Sequence, residues 1–205
     1  MFRSALKIIK ENPREYAFLN LLYYGLIVAS MAYVYAFPEV QRGLTEALKG
    51  ESAEVFPWIV EAYTSGNFPL AVILTFLTNL ALGSFVCITL PSMIMPFGGV
   101  AIGFVRAILW GLLLAPTSPE LAQAMIPHSL TLILEGQAYI LAMFAAAMQW
   151  KGVIRPRSVG AEKRSKAYVL GIKKTAYIYI LIALFLAISA IYEAFEVIYI
   201  VGKTK

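Results

Sequence analysis

Charged residues, cysteine and histidine are all scarce in this chain. Only 14% of its 205 residues are charged, whereas 60% are hydrophobic, and the mean hydropathy is +0.74. One water-soluble core cannot hide that much apolar side chain, so a second apolar solvent, the lipid bilayer, is needed. The scarcity of charge therefore excludes an ordinary soluble domain and predicts a multi-pass protein of the cell membrane.

The single cysteine and the single histidine exclude further classes of site. Cys87 has no second cysteine with which to form an internal disulfide, and we expect it to pack as a small hydrophobe. His128 alone cannot build a histidine-rich metal site. The sequence also lacks a His-Glu-x-x-His helix, a P-loop and a Rossmann fingerprint. We therefore predict no enzyme, no metal site and no cofactor.

Five apolar runs are each long enough to cross the bilayer as a helix. They are residues 16–37, 69–90, 97–115, 125–148 and 175–201. These runs predict an all-α fold with five transmembrane helices in one membrane domain, residues 1–205. We read the first run as a retained span and not as a cleaved signal peptide, because it has no small-residue cleavage pattern.

Two amphipathic segments lie outside these runs. Residues 1–15 mix basic and apolar side chains and predict a short helix at the membrane interface. Residues 38–68 predict two helices outside the membrane, separated by a break at 49–52. This outer segment either caps the helix bundle or, on the strength of Trp58 and its acidic charge, docks a partner.

The distribution of Lys and Arg predicts the orientation. Residues 1–15 hold four of them and the loop 149–174 holds eight, whereas the opposite side holds Arg42, Lys49, Lys203 and Lys205. The positive-inside rule then places the N-terminus and the loop 149–174 inside and the C-terminus outside. The net charge of +5 comes from blocks that flank apolar runs, so we predict no nucleic-acid partner.

Residues 91–96 connect the second and third runs and contain two prolines, Pro91 and Pro96. We expect these prolines to prevent a continuous helix. The connection is either a tight turn at the interface or a partly re-entrant element covered by protein.

Three polar side chains lie near the middle of successive runs. Asn79, Arg106 and Glu135 are each nine or ten residues from the start of a run, which places them about 14–15 Å deep in a slab about 30 Å thick. A lone charge at that depth costs at least about 2.5–3.5 kcal/mol. We therefore predict an ion pair between Arg106 and Glu135, with Asn79 as a further hydrogen-bonding group.

Other polar residues extend this cluster toward the outer face. His128, Thr131, Glu135 and Tyr139 share one face of the fourth run. His128 either titrates at the outer end of that face or simply caps the helix start. We expect Glu193, on the fifth run, to face inward, and its neighbour Glu196 to reach the headgroups. The cluster is either a clamp that fixes helix register or a path for an ion, proton or solute.

Small residues recur every four positions along the third run. They are Gly99, Gly103, Ala107 and Gly111. This spacing predicts a close packing contact with another span or with a second subunit.

Short motifs between residues 68 and 147 resemble the stage II sporulation protein M family of integral membrane proteins. The matching residues are Thr78-Asn79, Gly99, Gly103, Pro127-His128 and Glu135-Gly136-Gln137-Ala138. The chain departs from the family pattern in having Gly98 in place of Asn, Ser129 in place of Gly, and Glu135 seven residues after His128 instead of four. The best-known member is implicated in a membrane complex with a peptidoglycan hydrolase, so the resemblance implies a scaffold or anchoring role.

Two functions follow as hypotheses. The first is a non-enzymatic scaffold or assembly component in the lipid bilayer, forming a homo-oligomer, a dimer in the first instance, with a membrane or envelope protein as a further partner. The alternative is a small transporter, channel or permease-like subunit that moves an ion, proton or small solute along the polar cluster.

Overall fold

The computed structural model describes residues 1–48 and 57–201. Over these residues the chain consists of helices joined by short connections and contains no strand, which confirms the all-α class. The helices are α1 Phe2–Glu11, α2 Pro13–Ala36, α3 Pro38–Leu48, α4 Pro57–Thr64, α5 Phe68–Ile94, α6 Gly98–Leu114, α7 Pro119–Ile154 and α8 Arg164–Ile200. A short 3₁₀ turn at Pro156–Val159 joins the last two.

Four of these helices, α2, α5, α7 and α8, are long and apolar enough to cross a membrane. Each coincides with one of the predicted spans. The remaining predicted span is α6, which has 17 residues. At about 1.5 Å per residue such a helix is about 25 Å long, somewhat less than the hydrocarbon thickness of about 30 Å.

Helix α7 is the centre of the bundle. In its most apolar window 72% of the residues are buried, whereas the values for the other three long helices lie between 28% and 39%. Helix α8 packs along α7, and α2 packs along α6. Alanines 138, 142, 145 and 146 of α7 are almost fully buried, and small side chains of this kind let neighbouring helices approach closely.

Both ends of α7 extend beyond the predicted span 125–148. The helix begins at Pro119 because Ser118 accepts a hydrogen bond from the Leu121 N–H and because proline suits a first helical turn. His128 therefore lies well inside the helix and does not cap it. At the other end, α7 continues to Ile154 and α8 begins at Arg164, so most of the predicted basic loop is helical.

The connection after α5 is a tight turn. Only Met95–Phe97 separate α5 from α6, and Phe97 takes a left-handed conformation with φ 59°. Contrary to expectation, the helix continues through Pro91. Residues Asn79–Thr89 form a π-helical stretch, and the missing N–H of Pro91 falls where the wide hydrogen-bond pattern returns to the α-helical one.

The helices predicted within residues 1–15 and 38–68 are present as α1, α3 and α4. The predicted break at 49–52 lies outside the described residues. Gln41 anchors α3, because its side-chain amide donates to the carbonyls of Leu113 and Ala115 at 2.9 Å each. Helix α1 packs against α8 with Ala5 and Ile8 buried.

The small-residue stripe of α6 contacts the protein's own helices. A Cβ atom at Gly99 would meet the backbone oxygen of Ile88, and one at Gly103 would meet the Met143 side chain. A Cβ atom at Gly111 would meet the backbone of Ile27. Ala107 is fully buried as well. The stripe is thus a contact with other spans of the same chain.

Candidate functional site: a polar cavity between the long helices

A cavity of about 350 Å³ lies between α4, α5, α6, α7 and α8. Six of the seven polar residues predicted to cluster line its wall: Asn79, Arg106, His128, Thr131, Glu135 and Glu193. The seventh, Tyr139, is fully buried one helical turn beyond Glu135, and its hydroxyl accepts a hydrogen bond from Arg106. The predicted residues therefore come together around a space.

The Asn79 side-chain amide donates a hydrogen bond to Glu135 Oε1. This contact agrees with the prediction that the two residues meet at one depth, although α7 begins earlier than assumed. The Glu135 side chain is only 6% exposed. Asn79 also opens the π-helical stretch of α5, a feature that is frequent at functional sites.

The predicted ion pair between Arg106 and Glu135 is wrong, because no such salt bridge occurs in the described part of the chain. Arg106 Nη2 donates instead to the Tyr139 hydroxyl at 2.9 Å. Its guanidinium carbon lies 4.0 Å from the centre of the Tyr139 ring and 5.0 Å from that of Trp110. Such cation–π contacts stabilise a desolvated charge by about 2 kcal/mol. Sequence reasoning missed Trp110, although it lies one turn after Arg106 on α6.

The prediction for Glu196 is also wrong. It was expected to reach the headgroups, but its side chain is 2% exposed. Its Oε1 lies 3.0 Å from His128 Nδ1, and its Oε2 accepts a hydrogen bond of 2.9 Å from the Thr131 hydroxyl. The π-helical turn that begins at Glu196 offsets this end of α8 from a regular α-helix, so helical periodicity alone does not predict which way the side chain faces.

Glu193 faces inward, as expected, and lines the cavity. Its carboxyl group lies within hydrogen-bonding reach of Glu135. Glu193 Oε2 is buried and receives no hydrogen bond from any described residue. Two neighbouring carboxyl groups at membrane depth are not both stable as anions, so this pair invites a proton or another cation.

One end of the cavity lies beside α4. It is lined by Leu113 and Leu114, where α6 ends, and by Ile59 and Tyr63 of α4. The Tyr63 hydroxyl lies 2.8 Å from the Thr75 hydroxyl, and burial raises the pKa of Tyr63, which keeps it neutral. Beyond Glu135, α7 continues with the fully buried side chains Tyr139, Ile140, Met143 and Phe144. The end of the cavity opposite α4 is therefore closed by a packed core.

A second polar group, which sequence reasoning missed, joins α2 to α7. Gln137 accepts a hydrogen bond of 2.6 Å from the Tyr16 hydroxyl and donates to Asn20 and to Tyr24 at 2.7 and 3.0 Å. The Tyr24 hydroxyl in turn donates to the carbonyl of Ile133. The side chains of this network serve as hydrogen-bond partners for one another, and their contacts hold α2 against α7. A signal was available, because Asn20 is the only Asn or Gln of the first span.

The described residues, 1–48 and 57–201, contain no group of three His, Cys, Asp or Glu side chains that converge as metal ligands. Comparison with family models, with curated proteins and with solved structures finds no match to this chain. The resemblance to the stage II sporulation protein M family stays a prediction. Three residues that carry it, Asn79, His128 and Glu135, line the same cavity.

Proposed function

We propose that this protein is a multi-pass protein of the cell membrane whose polar cavity binds a small polar solute or ion and passes it across the bilayer. One observation carries the proposal: the ionisable and polar side chains of five different helices converge on a cavity of about 350 Å³. A purely structural clamp needs no such space. Pockets for small ligands have volumes of about 300–1,000 Å³.

The shape of the cavity supports a transport role. It extends from the outer end of α6 to the level of Asn79 and Glu135, and the packed core beyond closes its inner end. A site near the midplane that is reached from one face only is what alternating access requires. In this proposal the described conformation is open outward, and passage requires the core around Tyr139 and Met143 to open.

We further propose five spans, with α6 as the fifth, the N-terminus inside and the C-terminus outside. The three-residue turn Met95–Phe97 reverses the chain, so α6 runs back toward the side from which α7 starts. Glu15 at the start of α2 forms a salt bridge with Lys151 near the end of α7. This contact supports both basic blocks lying on one side of the membrane.

The scaffold hypothesis has less support. The glycine stripe of α6 was one candidate surface for a second subunit, but Gly99, Gly103 and Gly111 contact the chain's own helices. An oligomer would need another surface. The anchoring role implied by the family resemblance remains the second candidate, and we propose no catalytic step for this chain.

Cysteine accessibility tests the cavity directly. The chain has one cysteine, so Cys87→Ser provides a cysteine-free background. In that background we expect Thr78→Cys, on the cavity wall, to react with a charged methanethiosulfonate reagent that cannot cross the membrane. Two controls should stay unreactive: Ile73→Cys, which is 54% exposed on the outer surface of the same helix and faces lipid, and Ile140→Cys, which is fully buried.

The sidedness and the transport step need separate measurements. In sealed vesicles Thr78→Cys should react from the face opposite the N-terminus. In liposomes that enclose a pH-sensitive dye, we expect the protein to carry a proton flux that Glu135→Gln changes. Equal, slow labelling of Thr78→Cys and Ile73→Cys would contradict the cavity, and the absence of flux would contradict a proton as the transported ion.

A further inference from the structure

The charges around the cavity do not balance. Three carboxyl groups, those of Glu135, Glu193 and Glu196, face one guanidinium, Arg106, and one imidazole, His128. Buried charges are normally paired, because an isolated ion in a medium of low dielectric constant loses its hydration without compensation. The excess of acid therefore needs a positive partner.

The carboxyl groups differ in how well their own neighbours satisfy them. Glu196 contacts His128 and Thr131, and Glu135 accepts a hydrogen bond from Asn79. Glu193 Oε2, in contrast, is buried at the cavity wall without any donor among the described residues. Among the oxygens of these three carboxyl groups, it is the one that is fully buried and has no hydrogen-bond partner among the described residues.

Arg106 is not the partner of Glu193. Its guanidinium donates to the Tyr139 hydroxyl and lies over the rings of Tyr139 and Trp110, on the inner side of the cavity. No salt bridge in the described part of the chain joins it to a glutamate. No basic side chain of the described residues therefore pairs with Glu193, and its partner is either a proton or a cation from outside the chain.

The size and walls of the cavity indicate the kind of cation. A volume of about 350 Å³ is many times that of a single metal ion and fits a small organic molecule. The described residues offer no set of three metal-binding side chains. Tyr63 adds an aromatic wall away from Arg106, and aromatic faces attract organic cations.

We propose that the ligand of this cavity is a small organic cation of the ammonium or amidinium type, which binds the neighbouring carboxyl groups of Glu193 and Glu135. The inference rests on the proposed function, since it names the class of solute that enters the cavity. It places the cation between the midplane and the outer face, deeper than a lipid headgroup reaches, so the ligand is a soluble molecule.

Three probes of nearly the same shape and different charge test this assignment. They are acetamidinium, acetamide and acetate, which are positive, neutral and negative. The measurement is the thermal unfolding of the full-length protein in detergent as a function of probe concentration. A ligand that binds only the folded state shifts the folding equilibrium about 100-fold at about 100 times its Kd. We expect acetamidinium alone to raise the Tm, progressively with concentration.

Two variants locate the binding. Glu193→Gln keeps the shape of the side chain and removes its charge, so we expect it to abolish the shift caused by acetamidinium. Glu39→Gln is the matched control, because Glu39 is exposed on α3 and does not line the cavity. This control should keep the full shift. If Glu193→Gln does not fold, protection of Thr78→Cys from labelling by acetamidinium, but not by acetamide, replaces the thermal measurement.

The outcomes separate this inference from the proposed function. A reactive Thr78→Cys together with stabilisation by acetate would leave the cavity intact and assign it to anions at Arg106, which overturns the cation assignment. No stabilisation by any of the three probes, or an undiminished shift in Glu193→Gln, overturns it as well. An unreactive Thr78→Cys would refute the proposed function itself.

Discussion

Replacing Gly111 with alanine should show whether the glycine stripe of α6 packs inside the chain. Its new Cβ would lie 2.5 Å from Ser30 Cβ and 3.1 Å from the carbonyl carbon of Ile27, both on α2. Carbon atoms pack best at about 3.5–4.0 Å. Since the obstacle includes backbone, α2 and α6 must move apart, and no side-chain rotation removes the clash.

The magnitude follows from a comparison with Gly25→Ala. A Cβ atom at Gly25, an exposed position of α2, meets no atom within 4 Å. Gly25→Ala therefore gains only the difference in helix propensity between alanine and glycine, about 1 kcal/mol in free energy of unfolding. Overpacking costs about 1–3 kcal/mol and sometimes more, and a backbone obstacle belongs at the upper end of that range. We therefore expect the two variants to differ by about 3 kcal/mol in free energy of unfolding, a difference of roughly 6–12 °C in Tm.

The assay is thermal unfolding in detergent, with particle size measured in parallel by light scattering. Gly111→Ala should unfold at the lower temperature and keep the same particle size as Gly25→Ala. Equal unfolding temperatures would refute the packing argument. A smaller particle at an unchanged unfolding temperature would show that the stripe holds two subunits together, which would restore the scaffold hypothesis.

Two further substitutions compare a buried contact with a surface contact. Tyr139→Phe keeps the ring under Arg106 but removes the hydroxyl that accepts its hydrogen bond, so we expect the free energy of unfolding to fall by about 1.5–3 kcal/mol in chemical denaturation; an unchanged value would mean that Arg106 finds another acceptor. Lys151→Met breaks the salt bridge with Glu15, in which the side chains of Lys151 and Glu15 are 42% and 35% exposed. We expect this substitution to change the free energy of unfolding by less than about 1 kcal/mol. A loss as large as that of Tyr139→Phe would contradict this ranking.

Local patterns predicted the membrane class, the helical fold and the members of the polar cluster. An apolar run is a property of consecutive residues, so the helices α2, α5, α7 and α8 follow directly from hydropathy. A charge in such a run must face the bundle. This requirement alone predicted that Asn79, Arg106 and Glu135 lie close together, and all three line one cavity.

Partners within the cluster did not follow from the sequence. Opposite charges at one depth favoured an Arg106–Glu135 pair, but Arg106 contacts Tyr139 and Trp110. Depth depends on position along one helix, whereas a contact depends on how two helices are rotated against each other. That rotation is a property of the assembled bundle.

The same distinction accounts for the remaining differences. The sequence by itself determined which segments are apolar enough to enter a membrane and which side chains are too polar to face lipid, because both depend on the free energy of transfer of neighbouring residues. The tertiary structure decided that Glu196 faces inward, that Gly111 contacts α2, and that Glu193 has a buried oxygen without a hydrogen-bond donor. Each of these outcomes depends on which faces of separate helices meet. Residues that are far apart in the chain share no local sequence pattern from which that meeting could be predicted.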